Sequence, residues 1–323
     1  MLRLSIIIPV FNIEEFLPEC LESCLRQDIS GEEYEILLVD DGSSDHSIEV
    51  AQKTYDSFSR QDKPNLRILP PKKELPVHGA SVSRNRGVDD ARGKYIWFVD
   101  GDDKIEPNCL SFLLATAEPQ DLDFVRFGFY LWTEQSCNIA YQLRDIGIRK
   151  GWEIFRQFQR PIGVWSALWR REFLQQKGIR LLEGYVIEDE DFMPRAQYQA
   201  GDARILDKYC YYYRQRQNSV MRGKASPHKV KSYLAVCEAL SDFKDKHVEE
   251  KDKPVFENII NFMFSQGLSV NTQCESPLPL SSFRASSCYP LKAHGRIKYL
   301  LINASLRLAT LAFQCRNLLK TKR

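Results

Sequence analysis

Short apolar runs alternate with amphipathic stretches through the first hundred residues. The runs Leu4–Val10, Tyr34–Val39 and Tyr95–Val99 are apolar almost throughout, which is typical of strands buried on both faces of a sheet. Between these runs, Ile13–Gln27 repeats apolar residues at helical spacing, and Ser81–Ala91 is also predicted to be a helix. Alternating strands and helices predict a parallel α/β sheet with right-handed crossovers.

The remainder of the chain has a less regular pattern. We expect helices at Pro107–Ala117 and Arg171–Gln176. We also expect a strand at Phe124–Tyr130, a short run at Ala203–Leu206 and a separate aromatic strand at Tyr209–Arg214. From Pro227 onward the pattern is helical. The sequence therefore predicts two domains, an α/β domain of residues 1–225 and a helical C-terminal extension of residues 226–323.

Carboxylates are clustered directly after two of the predicted strands, at Asp40-Asp41-Gly42-Ser43-Ser44-Asp45 and at Asp100-Gly101-Asp102-Asp103. Open α/β sheets bind ligands at the carboxyl ends of their strands. Carboxylates this close repel one another unless a cation or a set of donors compensates, and hard divalent cations favour carboxylates together with substrate phosphates. We interpret the second cluster as a metal–phosphate site, with a solvated acidic turn as the competing interpretation.

The polar residues near the two predicted helices of the first hundred residues could contact a ligand or have an ordinary structural role. Asn12 and Glu15 are expected to cap the first helix, while the backbone of Pro9–Phe11 could line a base pocket. The Gly/Ser-rich stretch His78–Gly87 enters a helix and carries two arginines that could pair with a phosphate. An ordinary basic helix start explains that stretch equally well.

Two later segments are also candidates for the chemistry. One carboxylate of Glu188-Asp189-Glu190-Asp191 could act as a general base, although an acidic first helical turn is the simpler explanation and Asp191 is expected to be a surface charge. The basic residues that follow Tyr209–Tyr213 could stabilise a leaving diphosphate, or form an ordinary edge strand and turn. Trp165 and Trp169 could stack on a sugar ring, but core positions are commoner for tryptophan.

Charge and composition narrow the possible partners. A net charge of +2 does not suggest a nucleic-acid-binding protein. Nine cysteines without a Cys-x-x-Cys pair indicate free, mostly buried thiols in a reducing compartment. We find no signal peptide and no run of about 18 apolar residues, so a cytoplasmic protein is expected.

The C-terminal tail is basic. No Asp or Glu follows Glu275, and Ile297–Leu319 has a polar, basic face opposite a leucine-rich one. This pattern predicts either a peripheral helix on an anionic membrane or a helix packed on the protein with a solvated basic face.

Four motifs occur in order over about a hundred residues: Ser5-Ile6-Ile7-Ile8-Pro9-Val10-Phe11-Asn12-x-Glu14, Val39-Asp40-Asp41-Gly42-Ser43-Ser44-Asp45, Gly79-x-Ser81-x-Ser83-Arg84-Asn85-x-Gly87 and Phe98-Val99-Asp100-x-Asp102-Asp103. In these motifs the chain resembles the family 2 glycosyltransferases of the GT-A fold. Glu188-Asp189 and Tyr212-Tyr213-Arg214…Asn218-Ser219 are similar to that family too. The resemblance covers residues 1 to about 220 and leaves out the helical tail.

The resemblance implies a Rossmann-like, mostly parallel GT-A sheet flanked by helices, a UDP-sugar or related donor, and a Mn²⁺ or Mg²⁺ ion. It assigns Asp41 to the base, Asp100 to the ribose side and Asp102 to the metal. The other predicted donor contacts are Pro9, Phe11, Ser83, Arg84, Arg214 and Arg216. Asp100 and Asp103 are predicted to join Asp102 as metal ligands. Asp189, next to Glu188, matches the family's acid–base position, and single displacement gives inversion. Some relatives carry a metal-binding His near Arg214–Ser219, and this chain has none there.

Together these patterns predict an enzyme of bacterial surface polysaccharide synthesis. It would transfer sugar to a glycan or lipid-linked acceptor at the inner face of the cytoplasmic membrane. A non-catalytic nucleotide-sugar-binding subunit is the main alternative. A phosphatase with an aspartyl nucleophile is disfavoured, because Asp102 is followed by Asp103 and Lys104 rather than by Thr or Val.

Overall fold

The computed structural model describes residues 2–72, 78–157, 163–216, 224–279 and 281–284. The chain forms two compact units. The first comprises the residues up to Gly184 together with Phe192–Ser219, and the second takes in Tyr185–Asp191 and the described residues from 224 onward. The sequence predicts a domain boundary at residue 225 and does not predict that Tyr185–Asp191 belongs to the second unit.

The first unit is built on a mixed sheet of ten strands within the described residues. The strands are β1 (Leu4–Val10), β2 (Tyr34–Asp40), β3 (Asn65–Leu69), β4 (Tyr95–Phe98), β5 (Lys104–Ile105), β6 (Phe124–Trp132), β7 (Cys137–Ile139), β8 (Ile148–Lys150), β9 (Ala167–Arg170) and β10 (Asp202–Arg214). Their order is β3-β2-β1-β4-β9-β6-β10-β5, with β7 beside β6 and β8 beside β10. This is the α/β arrangement of a sheet flanked by helices that the sequence predicts.

The predicted parallel half of the sheet is confirmed. β1 pairs in parallel with β2 and β4, and β2 pairs in parallel with β3. The acidic clusters that follow β2 and β4 therefore lie at the same edge of the sheet. The other half is mixed, since β9 runs antiparallel to both β4 and β6 whereas β6 and β10 are parallel.

Helices cover both faces of this sheet. They are α1 (Leu17–Leu25), α2 (Ser47–Ser57), α3 (Ala80–Asp90), α4 (Leu110–Ala117), α5 (Gly151–Gln157), α6 (Arg171–Gln176) and α7 (Asp189–Gln199). Ile6 and Ile8 of β1 lie in a core cluster with residues of α1, α2 and α4, while Ile7 lies in the cluster on the other face. Burial on both faces explains why β1, β2 and β4 are continuous apolar runs.

Several predicted boundaries differ from the observed ones. Helix α1 begins at Leu17 rather than at Ile13, and α4 begins at Leu110 rather than at Pro107. The two runs predicted around 203–214 form the single strand β10, because register shifts between Ile205 and Tyr211 let the strand pass an irregular region while keeping its pairing with β6.

The second unit contains α8 (Pro227–His247), α9 (Lys253–Asn271) and the short α10 (Ser281–Arg284). Helix α8 begins with a Ser226 cap, whose hydroxyl accepts the backbone N–H of Lys229, and with Pro227 in its first turn. Ser232 of α8 accepts the backbone N–H of Val186 at 3.1 Å, which ties the segment Tyr185–Asp191 to this unit. Among the described residues, no helix is both long and apolar enough to cross a membrane. The predicted amphipathic helix Ile297–Leu319 lies outside the described residues.

Candidate active site

The carboxyl ends of β1, β2 and β4 carry the first group of candidate residues. Asp40 ends β2 and is 7% exposed. Its Oδ1 accepts the backbone N–H groups of Gly42 and Ser43, at 3.2 and 2.9 Å, so its carboxylate stabilises the turn that presents Asp41.

Asp41 lies against the start of α3. Its Oδ2 accepts the backbone N–H of Gly79 at 2.6 Å, and its Oδ1 lies 3.4 Å from Nδ1 of His78. Gly79 has a φ of +131°, a conformation that favours glycine. His78 was not among the predicted site residues, although its position next to Gly79 in the Gly/Ser-rich stretch was a signal for it.

The predicted capping role of Asn12 is wrong. Asn12 precedes the start of α1 by several residues, and its Oδ1 accepts the backbone N–H of Ser44 at 2.8 Å. Glu14 accepts the backbone N–H of His46 at 2.7 Å, and Asp45 accepts that of Glu14 at 3.0 Å. These residues therefore join the β1 and β2 loops to each other rather than capping a helix.

Pro9 and Phe11 lie at the end of β1. Pro9 is partly buried, whereas the side chain of Phe11 is 57% exposed, the largest exposure among the large hydrophobic residues of the described chain. The Phe11 ring is therefore accessible to a ligand at the end of β1.

Helix α3 carries the arginine that pairs with the second acidic cluster. Nη2 of Arg84 donates to Oδ1 of Asp100 at 2.5 Å, and the Arg84 side chain is only 5% exposed. Asp41 thus contacts Gly79, the residue directly before this helix, and Asp100 contacts Arg84 within it. Ser83 is also on α3 but is fully buried, which argues against its predicted contact with a donor.

Asp102 and Asp100 lie in one tight turn. The backbone N–H of Asp103 donates to the carbonyl of Asp100 at 2.9 Å, which closes the turn. Gly101 between them is crowded, since a Cβ would lie 2.3 Å from Cδ1 of Ile13, the end of a flexible side chain, and 3.3 Å from the carbonyl oxygen of Pro9. Oδ2 of Asp102 forms an ion pair with Nη2 of Arg216.

Asp103 differs from its neighbours because it is buried and fully engaged. Its Oδ2 accepts the hydroxyl of Tyr211 and its Oδ1 accepts the backbone N–H of Arg214, both at 2.7 Å. The Tyr211 hydroxyl in turn accepts the backbone N–H of Asp100 at 3.1 Å. These contacts favour a role for Asp103 in fixing the acidic turn to β10 rather than the predicted metal-ligand role.

Arg214, the last residue of β10, is held on several sides. Its Nε donates to the carbonyl oxygen of Asp102 at 2.7 Å, and its Nη2 donates to Glu19 of α1 at 2.5 Å. Its guanidinium carbon lies 4.1 Å from the centre of the Trp132 ring and 5.1 Å from that of Phe16. Glu19 was not predicted, because its position on α1 gives no hint of a partner almost two hundred residues away.

The environment penalises negative charge on the acidic turn. Burial, followed by the charge of Asp100, raises the pKa of Asp102, and the guanidinium of Arg216 opposes that rise. Burial raises the pKa of Asp103 well above its usual range, and the Asp102 and Asp100 carboxylates add to the effect. A bound cation would lower the free energy of the ionised turn.

The aromatic residues of the middle region are mostly core. Trp165 and Trp169 are 6% and 0% exposed, and Trp165 stacks on Tyr211 with ring centres 4.4 Å apart. Trp165 therefore supports the tyrosine that holds Asp103, which agrees with the structural interpretation of these tryptophans.

The cluster Glu188–Asp191 belongs to the second unit. Asp191 is fully buried, so its predicted role as a surface charge is wrong. Burial raises the pKa of Glu190 to about 7. A carboxyl group with such a pKa can exchange a proton near neutral pH, which the sequence did not reveal.

The described residues contain no group of three or more His, Cys, Asp or Glu side chains that could hold a metal ion by themselves. Asp100 and Asp102 are nevertheless two hard oxygen donors in one turn, each already facing a guanidinium. Two carboxylates completed by substrate phosphates match the ligand set that Mg²⁺ and Mn²⁺ prefer. The donor set thus fits a divalent cation that binds together with a diphosphate.

Comparison with known proteins gives the family. Residues 5–171 match the profile of glycosyl transferase family 2. The chain is 32% identical over 243 residues to the uncharacterized glycosyltransferase EpsJ of Bacillus subtilis (strain 168), and the alignment covers 72% of this chain and 67% of EpsJ. It is 24% identical over 283 residues to poly(ribitol-phosphate) β-N-acetylglucosaminyltransferase TarS of Staphylococcus aureus (strain Mu50), covering 85% of this chain and about half, 47%, of TarS.

Two solved structures have the same fold. TarS residues 1–349 in complex with UDP-GlcNAc superimposes with a TM-score of 0.66 at 18% identity, covering 97% of this chain and 92% of that one. The mannosyltransferase PcManGT from Pyrobaculum calidifontis, in complex with GDP-Man and Mn²⁺, gives 0.54 at 14% identity, covering 98% and 87%. The chain therefore belongs to glycosyl transferase family 2 and has its GT-A fold.

Proposed function

We propose that this protein is an inverting, metal-dependent glycosyltransferase that moves a sugar from a UDP-sugar to a hydroxyl of a glycan or lipid-linked acceptor. The observation that carries the proposal is the joint anchoring of both acidic turns on α3. Gly79 contacts Asp41 and Arg84 contacts Asp100, so one rigid helix relates the two turns. A nucleotide needs such a fixed spacing between its base and its phosphates.

In this proposal each end of the donor has its own residues. Asp41 accepts an N–H of the base, with Pro9 and Phe11 beside it, and Asp100 contacts the ribose side. Asp102, together with Asp100, would hold a Mn²⁺ or Mg²⁺ ion, which supplies positive charge for the departing diphosphate when it is bound. Arg214 and Arg216 add positive charge on the same side.

Asp189 is the proposed general base, with Glu188 next to it. It accepts the proton of the acceptor hydroxyl as the hydroxyl oxygen attacks the anomeric carbon, while the bond to the diphosphate breaks on the opposite side. A single displacement of this kind inverts the anomeric configuration. Support comes from the Glu188-Asp189 motif of the resemblance. The pKa of the adjacent Glu190, raised by burial to about 7, makes that residue the alternative base.

The acceptor is assigned by class only. EpsJ is named as a glycosyltransferase and TarS as a poly(ribitol-phosphate) transferase, which supports a role in assembling bacterial surface polysaccharide. The basic tail Ile297–Leu319 supports peripheral contact with the inner face of the cytoplasmic membrane. No nucleic acid is expected as a partner. A non-catalytic nucleotide-sugar-binding subunit is the second candidate, because the GT-A fold and Asp41 alone would serve it.

A thermal-shift screen tests the donor assignment. A UDP-sugar at about one hundred times its Kd, with Mn²⁺, should stabilise the protein by about 2.7 kcal/mol, a rise in Tm of roughly 5–10 °C for a domain of this size. GDP-sugars at the same concentration should stabilise it less. Asp102→Asn should remove most of the stabilisation that depends on Mn²⁺, because the metal loses its main ligand. Asp207→Asn, at an exposed carboxylate of β10, is the matched control and should keep it.

Two results would contradict the proposal. Retained Mn²⁺-dependent stabilisation in Asp102→Asn would remove the metal assignment. Stabilisation of the unaltered protein by a nucleotide sugar, without UDP release in the presence of any glycan acceptor, would favour the non-catalytic subunit.

A further inference from the structure

The two arginines at the end of β10 are held in different ways. Arg214 donates to Glu19 and to the carbonyl of Asp102, donates its backbone N–H to Asp103, and lies over Trp132. Its side chain is 13% exposed. Removing any one contact would leave the others in place, so Arg214 is a fixed charge.

Arg216 has fewer contacts and a more exposed position. It follows the end of β10 by two residues, and its side chain is 29% exposed. Its guanidinium contacts the Asp102 carboxylate and lies 4.9 Å from the centre of the Phe16 ring, and its Nε is buried without a hydrogen-bond partner in the described chain. A single carboxylate is thus its main anchor.

That carboxylate is the same group that the proposed function gives to the cation. A guanidinium and a divalent cation cannot both occupy one face of Asp102, because like charges at contact distance repel strongly. Arg84 makes the same kind of contact with Asp100, but its side chain is 5% exposed and lies on α3, whereas that of Arg216 is 29% exposed and lies beyond the end of β10. The arginine that can move away when the cation binds is therefore Arg216, and not Arg84 or Arg214.

The charges of the site indicate where Arg216 goes. Asp100 and Asp102 balance Arg84 and Arg216 in the structure, so a divalent cation alone would leave an excess of two positive charges. A diphosphate restores neutrality and offers oxygen acceptors that suit a guanidinium. Resting on the proposed function, we propose that Arg216 is an exchangeable counter-ion, which occupies Asp102 before the donor binds and transfers to the donor's diphosphate when the cation takes its place.

This exchange has a thermodynamic signature. Because Arg216 competes with the cation, it should weaken the binding of Mn²⁺ alone, and because it then contacts the diphosphate, it should strengthen the binding of Mn²⁺ with nucleotide. Mn²⁺ and nucleotide should accordingly favour each other's binding, and by reciprocity the factor is the same measured from either ligand. Arg216 would thus make the site bind Mn²⁺ together with a nucleotide more tightly than it binds Mn²⁺ alone.

The experiment measures Mn²⁺ binding by electron paramagnetic resonance, without nucleotide and with saturating UDP, in the full chain. Arg216→Gln should bind Mn²⁺ alone roughly ten times more tightly than the unaltered protein, which is within the usual range of coupling factors between sites. It should also lose most of the enhancement by UDP. Arg216→Lys keeps the positive charge, and its affinity for Mn²⁺ alone should lie between those of the unaltered protein and Arg216→Gln. Arg180→Gln, which breaks an exposed arginine pair with Asp89, should leave both constants unchanged.

The outcomes separate this inference from the proposed function. If Arg216→Gln binds Mn²⁺ alone only as tightly as the unaltered protein does, or more weakly, the exchange is overturned. This holds even if UDP still binds together with Mn²⁺. Absence of any effect of Mn²⁺ on UDP or GDP binding in the unaltered protein overturns the proposed metal-dependent function instead. Far-ultraviolet circular dichroism checks that each variant is folded.

Discussion

Residues that are adjacent in sequence have different roles here because their burial and partners differ. Asp100 pairs with a buried arginine of α3, Asp102 with a partly exposed arginine beyond β10, and Asp103 with Tyr211 and a backbone N–H. Only Asp102 has a partner that can leave without disrupting packed structure. The divalent-cation role is thus best matched to Asp102.

The carboxylates at positions 188–191 give a prediction about the catalytic base. Asp189→Asn keeps the shape of the side chain but removes the proposed base, so kcat should fall by about 10²–10⁴-fold while the Kd of the donor with Mn²⁺ stays unchanged. Turnover is measured as UDP release from the stabilising donor, and Kd by calorimetry.

Glu190→Gln is the matched comparison for that variant. If Glu190 were the base, its raised pKa of about 7 would make kcat fall as the pH drops below about 7, since the protonated carboxyl cannot accept a proton. A large loss in Glu190→Gln, with little loss in Asp189→Asn, would transfer the base assignment to Glu190.

The sequence revealed which residues lie at the sheet edge but not how they are paired. The alternation of apolar runs and acidic turns located Asp41, Asp100 and Asp102, because buried parallel strands leave a simple pattern. The pairing of Arg216 with Asp102 and of Glu19 with Arg214 joins residues more than one hundred positions apart. Such pairs depend on the assembled fold and leave no local pattern.

At the scale of elements, α3 determines the geometry of the site. Gly87 packs against β1, where an added Cβ would lie 2.3 Å from Cγ2 of Ile7. Since Ile7 is fixed in a central strand, α3 can lie close to the sheet only while position 87 lacks a side chain. The contacts of Gly79 and Arg84 depend on that packing distance.

Gly87→Ala should therefore destabilise the protein even though alanine favours helices. The intrinsic gain is at most about 1 kcal/mol, whereas overpacking costs about 1–3 kcal/mol. We expect a net loss near 1 kcal/mol, a fall in Tm of roughly 2–4 °C and weaker binding of UDP with Mn²⁺.

An exposed position of α2 provides the control. Lys53→Ala also introduces alanine into a helix, but at an exposed position, and it should leave both Tm and nucleotide binding unchanged. An unchanged Tm and Kd in Gly87→Ala would mean that α3 can shift without affecting the site.

The elements themselves were only partly predictable. β1, β2 and β4 were recognisable because they are buried on both faces, and α6 at Arg171–Gln176 matches its predicted range. The short strands β5, β7 and β8 were not predicted, since two or three residues are too few to establish a period. Tertiary pairing with β6 and β10 defines them.

At the scale of the whole molecule, the proposed membrane contact depends on the basic segment Ile297–Leu319. Lys298→Glu combined with Arg307→Glu should lower sedimentation with vesicles rich in anionic lipid by roughly tenfold or more. Each basic residue near an anionic surface contributes about 1 kcal/mol, and each reversal also adds repulsion. Neutral vesicles should bind neither protein.

Lys246→Glu with Lys251→Glu produces the same change in net charge at exposed positions of the second unit and should leave sedimentation unchanged. Equal loss in both double variants would show that only total charge matters. Full retention by the tail variant would remove the membrane contact from the proposal.

The crowded environment of Gly101 limits how this turn can change. A Cβ at position 101 would lie 2.3 Å from Cδ1 of Ile13, the end of a flexible side chain, and 3.3 Å from the carbonyl oxygen of Pro9. A small residue therefore requires Ile13 to turn aside, whereas a larger one also meets the backbone of β1. Evolution and protein engineering would meet this size limit, and a saturation library at the codon should yield active clones that encode glycine most often, followed by alanine and serine.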